Sequence, residues 1–268
     1  MSGKLTIISS CEFREKNNYS KNYEPMSRRL VHSIRTNGGK YKDCRIVMWY
    51  SEEAAPSLET TDWLIEHGCD VIGGKSLGHN CEPVGNKIMA VNTPVDTEFS
   101  LWIDTDMYLL DPVRFEELLE ADFDVSACGS NNAHHRWASL EYAEHWAQFY
   151  ELAGVDAPAE RFTGYLDGLP QHVYFNSCFV LYRNGRNFPE TWKDLAIKVR
   201  NSGIDECEHN FTQTSLTLAV LKTARTYREL PFTYNAVYCR VGKKALEETM
   251  LHYQDNIIDF DPRVKWNV

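Results

Sequence analysis

No stretch of this 268-residue sequence stays apolar for the ~18 residues that a membrane-spanning helix needs. The opening residues, MSGKLTIISSCEFREK, have a short apolar run followed by charge and no small-residue cleavage site, unlike a signal peptide. Both absences lead to the expectation of a cytoplasmic protein. Basic residues are in deficit, with 28 Lys and Arg against 38 Asp and Glu and a formal net charge of −10. That balance disfavours nucleic acid or an anionic membrane surface as the main partner, while leaving room for a local basic pocket for phosphates. The eight cysteines include no CxxC pair, which argues against a zinc site, and several sit in strand-like runs as small hydrophobes. Free thiols are expected. Internal repeats, low-complexity tracts and obvious linkers are missing too, so residues 1–268 read as a single domain.

What is present is alternation. Residues 5–9 (LTIIS) read as a buried strand, and Glu24-Pro25 opens a helix whose Met26, Leu30 and Ile34 share one stripe, closed by Gly38-Gly39. Residues 45–49 (RIVMW) form the next strand. Ser57 caps a second helix carrying Leu58, Leu64 and Ile65, and residues 70–72 begin a third strand. This order specifies a parallel sheet covered by helices. Lys87, Ile88 and Val91 fall in a short helix, residues 99–103 (FSLWI) in a strand, and Asp111-Pro112 at the start of a helix with Phe115, Leu118 and Leu119 inside. Residues 123–127 return as a strand. Further on, residues 139–153 read as an aromatic-rich helix, 154–171 as loop and 173–182 as a long strand. Trp192, Leu195, Ala196 and Val199 mark another helix, residues 211–221 an apolar one, and 232–239 a strand, with no pattern from Leu251 onward. The fold class expected is α/β, with a mixed, mainly parallel central sheet flanked by helices.

Within this pattern, residues 101–110 read LWIDTDMYLL. A carboxylate is costly to bury unless it is paired or holds a metal, yet Asp104 and Asp106 end one apolar run and precede another. Ligand sites of open α/β sheets lie outside the carboxyl ends of the strands. In extended chain, residues i and i+2 point to one side with stems ~7 Å apart, within reach of a single cation. Two aspartates with positions left for water and phosphate oxygens suit Mg²⁺ or Mn²⁺. The plainer alternative is that one aspartate caps the turn and the other is solvated; the apolar flanks on both sides count against it.

An apolar strand ending in DxD, followed by a helix and another strand, resembles the GT-A fold of nucleotide-sugar-dependent glycosyltransferases. Three further segments resemble, in order, the family containing glycogenin and the bacterial lipopolysaccharide galactosyltransferases. Residues 174–181 (YFNSCFVL) are similar to its yFNsGvll strand, residues 212–216 (TQTSL) to its DQdxLN helix start, and residues 251–253 (LHY) to its iiHy segment. The likeness runs from the first strand to His252. It departs at Cys178, where the family has glycine, and at Thr212, where it has aspartate. The family's KPW survives at most as Lys265-Trp266.

The resemblance implies a Rossmann-like GT-A fold and transfer of a sugar from a nucleotide-diphosphate donor, a UDP-sugar foremost, to a carbohydrate or other hydroxyl acceptor. It implies dependence on Mn²⁺ or Mg²⁺ and slightly favours retention over inversion. Asp106 would bind the metal directly, Asp104 the metal or the donor ribose, and His252 would close the site through a neutral imidazole nitrogen. Nucleotide-sugar binding would involve Ser9, Ser10 and Cys11 at the end of the first strand, Tyr19 stacked on the base, Lys87 at phosphate or base, and Thr105 and Ser177. Asn176 would satisfy its amide on a sugar hydroxyl, and Gln213 would orient the anomeric centre, being too weak for a base. Inversion would need a carboxylate base, for which Asp167, Asp205, Glu206 and Glu208 stand open. Trp137, Trp146 and Tyr165 suit either sugar stacking or the core, and His134-His135 a solvated loop. Residues 1–130 would form the nucleotide-sugar half and 131–268 the acceptor side.

Other classes fit less well. A nucleotidyltransferase acting on sugar phosphates would show a Gly-rich phosphate loop near Ser10, and none is there. A haloacid dehalogenase-type phosphatase carries its DxD on the first strand, with threonine or valine where this sequence has Tyr108. A non-catalytic nucleotide-sugar-binding protein of the same fold is the remaining alternative, against which the retained aspartates and His252 argue.

Overall fold

The computed structural model describes residues 3–12, 23–79, 81, 84–112, 115–120, 122–131, 137–204, 207–253, 263–264 and 268. Tyr19, His134, His135, Arg136, Asp205, Glu206, Lys265 and Trp266 lie outside the described residues. In chain order the elements begin with β1 (Leu5–Ser10), α1 (Tyr23–Asn37), β2 (Arg45–Ser51), α2 (Leu58–Glu66), β3 (Cys69–Gly74) and α3 (Asn86–Val91). There follow β4 (Phe99–Ile103), β5 (Met107–Leu109), α4 (Phe115–Leu119), β6 (Val125–Gly129), α5 (Ala143–Ala153), β7 (Phe162–Thr163) and β8 (Pro170–Gln171). The last are β9 (Phe175–Arg183), α6 (Phe188–Arg200), α7 (Cys207–Thr223), β10 (Tyr227–Leu230), β11 (Ala236–Val237), α8 (Tyr238–Val241) and β12 (Met250–His252).

The chain divides into two compact units. The first comprises Met1–Ser76, Thr93–Ala121 and Thr233–Val268, the second Leu77–Asn92 and Asp122–Phe232. In the first unit four parallel strands lie in the order β4-β1-β2-β3. Ile7, Ile8, Ile46, Val47, Leu101 and Ile103 are fully buried, as expected of parallel strands covered on both faces. Helix α1 buries the Met26, Leu30 and Ile34 stripe. In α2 only Leu64 of the three apolar residues is buried; Leu58 and Ile65 face solvent.

Glu24 fastens α1 to the start of α2. Its carboxylate accepts from the Ser57 N–H (2.7 Å), the Ser57 hydroxyl (2.8 Å) and the Thr60 hydroxyl (2.7 Å). Burial alone would raise its pKa, but these bonds favour the charged form and hold it below the usual carboxylate range.

The chain ends of the first unit differ from the sequence-based expectation. The residues after the DxD turn form a short strand, β5, which pairs antiparallel with β12, and β12 pairs in parallel with β11. The other edge of β5 is satisfied by α1: Ser33 Oγ accepts from Leu109 N–H (3.2 Å), and Asn37 Nδ2 donates to Leu109 O (2.8 Å). Residues 232–239, expected as one strand, instead form a 3₁₀ turn at Phe232–Tyr234, the two-residue β11 and the start of α8. Among the described residues, only Ala236 and Val237 of that stretch find a strand partner.

In the second unit β10 runs parallel to β6, and β6 antiparallel to β9, with a register shift between Ala127 and Gly129. The edge strand β10, with sequence YREL, is mostly half-buried and shows no apolar alternation to reveal it. Helices α6 and α7 are joined where Trp192 Nε1 donates to Thr212 O (3.1 Å) and Ser215 Oγ (3.2 Å). Helix α3 is held by Tyr182 Oη donating to Val91 O (3.0 Å) and Asn92 Nδ2 donating to Pro189 O (3.0 Å). Helix α5 ends at Gly154, whose φ of 65° closes it in the left-handed region. Trp137 and Trp146 are fully buried, Trp146 Nε1 donating to Trp137 O (2.7 Å), so both belong to the core.

Cys11, Cys44, Cys69, Cys81, Cys128, Cys178 and Cys239 are free thiols, all buried except Cys239. Burial pushes Cys44 and Cys69 up to about 12, which leaves them unreactive. Among the described residues no helix is long and apolar enough to cross a membrane.

Candidate functional site

Strand β4 ends at Ile103, the chain turns through Asp104-Thr105-Asp106, and Met107 N–H donates to Asp104 O (3.2 Å) as β5 begins. The two aspartates therefore sit on a tight turn rather than on extended chain. The end of β1 fastens this turn. Ser9 Oγ donates to Ile103 O (2.7 Å), Thr105 Oγ1 donates to Ser10 O (3.0 Å), and the Ser10 and Thr105 hydroxyls are 2.9 Å apart. Ser9, Cys11 and Thr105 are buried, while Ser10 is half-buried. Cys11 is tied to β2, its N–H donating to Trp49 O (3.0 Å).

Trp102, two residues before Asp104 and buried, donates its Nε1 hydrogen to Asp104 Oδ1 at 2.7 Å. This bond fixes the orientation of the carboxylate. The antiparallel register pairs His252 of β12 with Met107, the neighbour of Asp106, and Tyr253 N–H donates to Asp106 O (3.1 Å). His252 Nδ1 donates to Asn235 Oδ1 (2.8 Å), which in the neutral ring leaves the lone pair on Nε2, 3.3 Å from Asp106 Oδ1. Asp106 and His252 are buried and Asp104 is half-buried. One ligand atom from each of the three lies within 4.8 Å of the others, close to the ~3–4 Å between neighbouring ligands of one octahedral ion. Two carboxylates and one imidazole nitrogen form a donor set for a hard divalent cation.

Sequence reasoning missed Trp102 and Asn235. Trp102 had a faint signal, a donor two residues before an aspartate in a strand. Asn235, 17 residues from His252 in sequence, had none.

The second unit holds the other sequence-predicted residues. Lys87 Nζ donates to Ser177 Oγ (3.2 Å) and Ser177 O (3.4 Å), and Ser177 is buried. Asn176 is half-buried, and its Oδ1 accepts from Cys178 N–H (2.9 Å), so the amide oxygen is engaged within β9. Gln213 lies in the second turn of α7, not at its start. Its backbone O accepts from Thr217 Oγ1 (3.1 Å), and the same hydroxyl accepts from Phe175 N–H (3.0 Å), tying α7 to β9. Glu208 falls inside α7 rather than in a loop, and Asp167 Oδ1 accepts from Leu169 N–H (3.1 Å) within its own turn.

The family model for the Rhodobacterales glycosyltransferase domain matches residues 19–224. No curated protein sequence matches the chain. Among solved structures, the bifunctional glycosyltransferase WbbM is 12% identical with a TM-score of 0.55, covering 94% of this chain and 45% of its own. GlyE of Streptococcus pneumoniae TIGR4, a glycosyltransferase, is 14% identical with a TM-score of 0.54 over 94% of this chain and 55% of its own. An active-site mutant of LgtC is 9% identical with a TM-score of 0.54 over 93% of this chain and 86% of its own. At such identities the likeness is one of fold, and that fold is GT-A. The chain spans about half the length of WbbM and GlyE.

Proposed function

Because the chain belongs to the Rhodobacterales glycosyltransferase domain family, we propose that it moves a sugar from a nucleotide-diphosphate donor, foremost a UDP-sugar, to a hydroxyl acceptor with Mn²⁺ or Mg²⁺. The observation that carries this reading is the meeting of Asp104, Asp106 and His252, delivered by the β4–β5 turn and by β12. LgtC, a galactosyltransferase of the same fold (11% identical, TM-score 0.51), has been solved with donor and acceptor sugar analogues, and a comparable pair of ligands is inferred here by analogy.

The three side chains fit such an ion. The Asn235 bond directs the proton of His252 to Nδ1 and leaves Nε2 as the ligand atom, and Trp102 orients Asp104. When bound, the ion offsets charge that builds on the leaving diphosphate. Ser9 and Thr105 hold the turn in place and Cys11 is tied to β2, so their contribution in this reading is positioning; half-buried Ser10 is the member of that group suited to donor contact. Lys87 and Ser177 remain proposed for donor phosphate or base, Asn176 for sugar hydroxyls and Gln213 for orienting the anomeric centre. Retention is favoured over inversion on family resemblance alone.

A panel of nucleotide sugars, assayed with and without Mn²⁺, tests the proposal. Wild type is expected to hydrolyse or transfer at least one donor in a Mn²⁺-dependent manner, and Asp106→Asn to lose that activity. Absence of metal-dependent turnover with every donor would overturn it.

A further inference from the structure

Glu229 lies on β10 opposite Ala127 of β6, and its Oε1 fills the space beside Gly129. A Cβ at residue 129 would lie 2.0 Å from that oxygen, so only glycine lets the carboxyl fold across the end of β6. The side chain is half-buried there, and among the described residues it has no hydrogen-bond or ion-pair partner. Burial without a compensating charge pushes its carboxyl up to about 7. A carboxyl kept partly dry and unpartnered is costly, and a ligand hydroxyl would relieve that cost.

A second feature adjoins it. The loop between β7 and β8 exposes Tyr165 at 59%, yet its ring is held, stacked at 4.1 Å and 6° on Phe232, which is buried. One ring face is therefore packed and the other open. Two links bring this ring towards Glu229. Leu166 N–H donates to Asn131 O (2.8 Å), and Asn131 follows Gly129 by two residues, at most ~7 Å of chain. Phe232 follows Glu229 by three residues, at most ~11 Å. A fixed aromatic platform and an unpartnered carboxyl thus share the carboxyl end of β6 and β10.

We propose that Tyr165, buttressed by Phe232, and Glu229, seated against Gly129, form an acceptor subsite for a pyranose carbohydrate. The inference rests on the glycosyltransferase reading above. The open tyrosine face covers the apolar C–H face of the ring, and the carboxyl oxygens bond neighbouring hydroxyls.

Saturation-transfer NMR of the full chain with methyl pyranosides and short oligosaccharides tests it, with melting temperature as the check on folding. Transfer to at least one saccharide is expected in wild type and in Tyr165→Phe, loss in Tyr165→Ala, and at least ~10-fold weaker binding in Glu229→Gln, the equivalent of ~1.4 kcal/mol. Leu58→Ala, which alters an exposed leucine of the first unit, is expected to bind as wild type does. Unchanged binding in folded Tyr165→Ala and Glu229→Gln, or no binding of any saccharide by wild type, overturns the subsite. Donor hydrolysis by wild type without acceptor is measured in parallel; its absence with every nucleotide sugar overturns the glycosyltransferase reading while the saccharide result stands on its own.

Discussion

At the scale of single residues, the proposed metal centre depends on two side chains that are not themselves ligands. Trp102 holds Asp104, and Asn235 holds His252. Hydrogen bonds to charged groups are worth ~1.5–3 kcal/mol, so Trp102→Phe is expected to weaken Mn²⁺ binding about tenfold or more in calorimetric titration. Asn235→Ala should cost ~10–100-fold, the usual effect of losing an outer-shell partner, and Asn235→Asp, which keeps the acceptor, should recover most of it. Unaltered affinity in both Trp102→Phe and Asn235→Ala would remove these residues from the account. The aspartates themselves were legible from sequence, because charge inside an apolar run demands compensation. Asn235 was not, since its role exists only once β11 and β12 are paired.

At the scale of elements, periodicity made the long pieces readable. The parallel strands β1, β2 and β4 show continuous burial, and α1 and α6 show clean apolar stripes. Strands of two or three residues carry no period, so β5 and β12 were invisible by pattern, β11 was read only as part of an overlong strand over residues 232–239, and His252 was found through family resemblance alone. These short strands are supported from outside. Ser33 of α1 accepts the Leu109 N–H on the edge of β5 and is fully buried. Ser33→Ala strands that N–H and is expected to destabilise the protein by ~1–3 kcal/mol in chemical denaturation. No measurable loss would mean that the edge is satisfied in another way.

At the scale of the whole molecule, buried His172 and half-buried Glu229 make stability depend on pH in opposite senses. His172 is lowered to about 4, first by burial and then by Arg161. Between pH 6.5 and 4 the unfolded chain takes a proton that native His172 refuses, so stability falls as pH falls. Glu229 is raised to about 7. Between pH 4.5 and 7 native Glu229 keeps a proton that the unfolded chain gives up, so its contribution falls as pH rises. Glu229→Gln is therefore expected to be more stable than wild type at pH 8 and to show no such gain at pH 4, as read from denaturation midpoints. An equal offset at both pH values would contradict the assignment. The central claim, that Asp104, Asp106 and His252 form one metal centre serving a nucleotide diphosphate, is tested most directly by titrating Mn²⁺ into the protein with and without UDP. Wild type should bind one ion, more tightly with UDP present, and Asp106→Asn and His252→Ala should each lose at least tenfold in affinity. Equal Mn²⁺ affinity in wild type and both variants would contradict it.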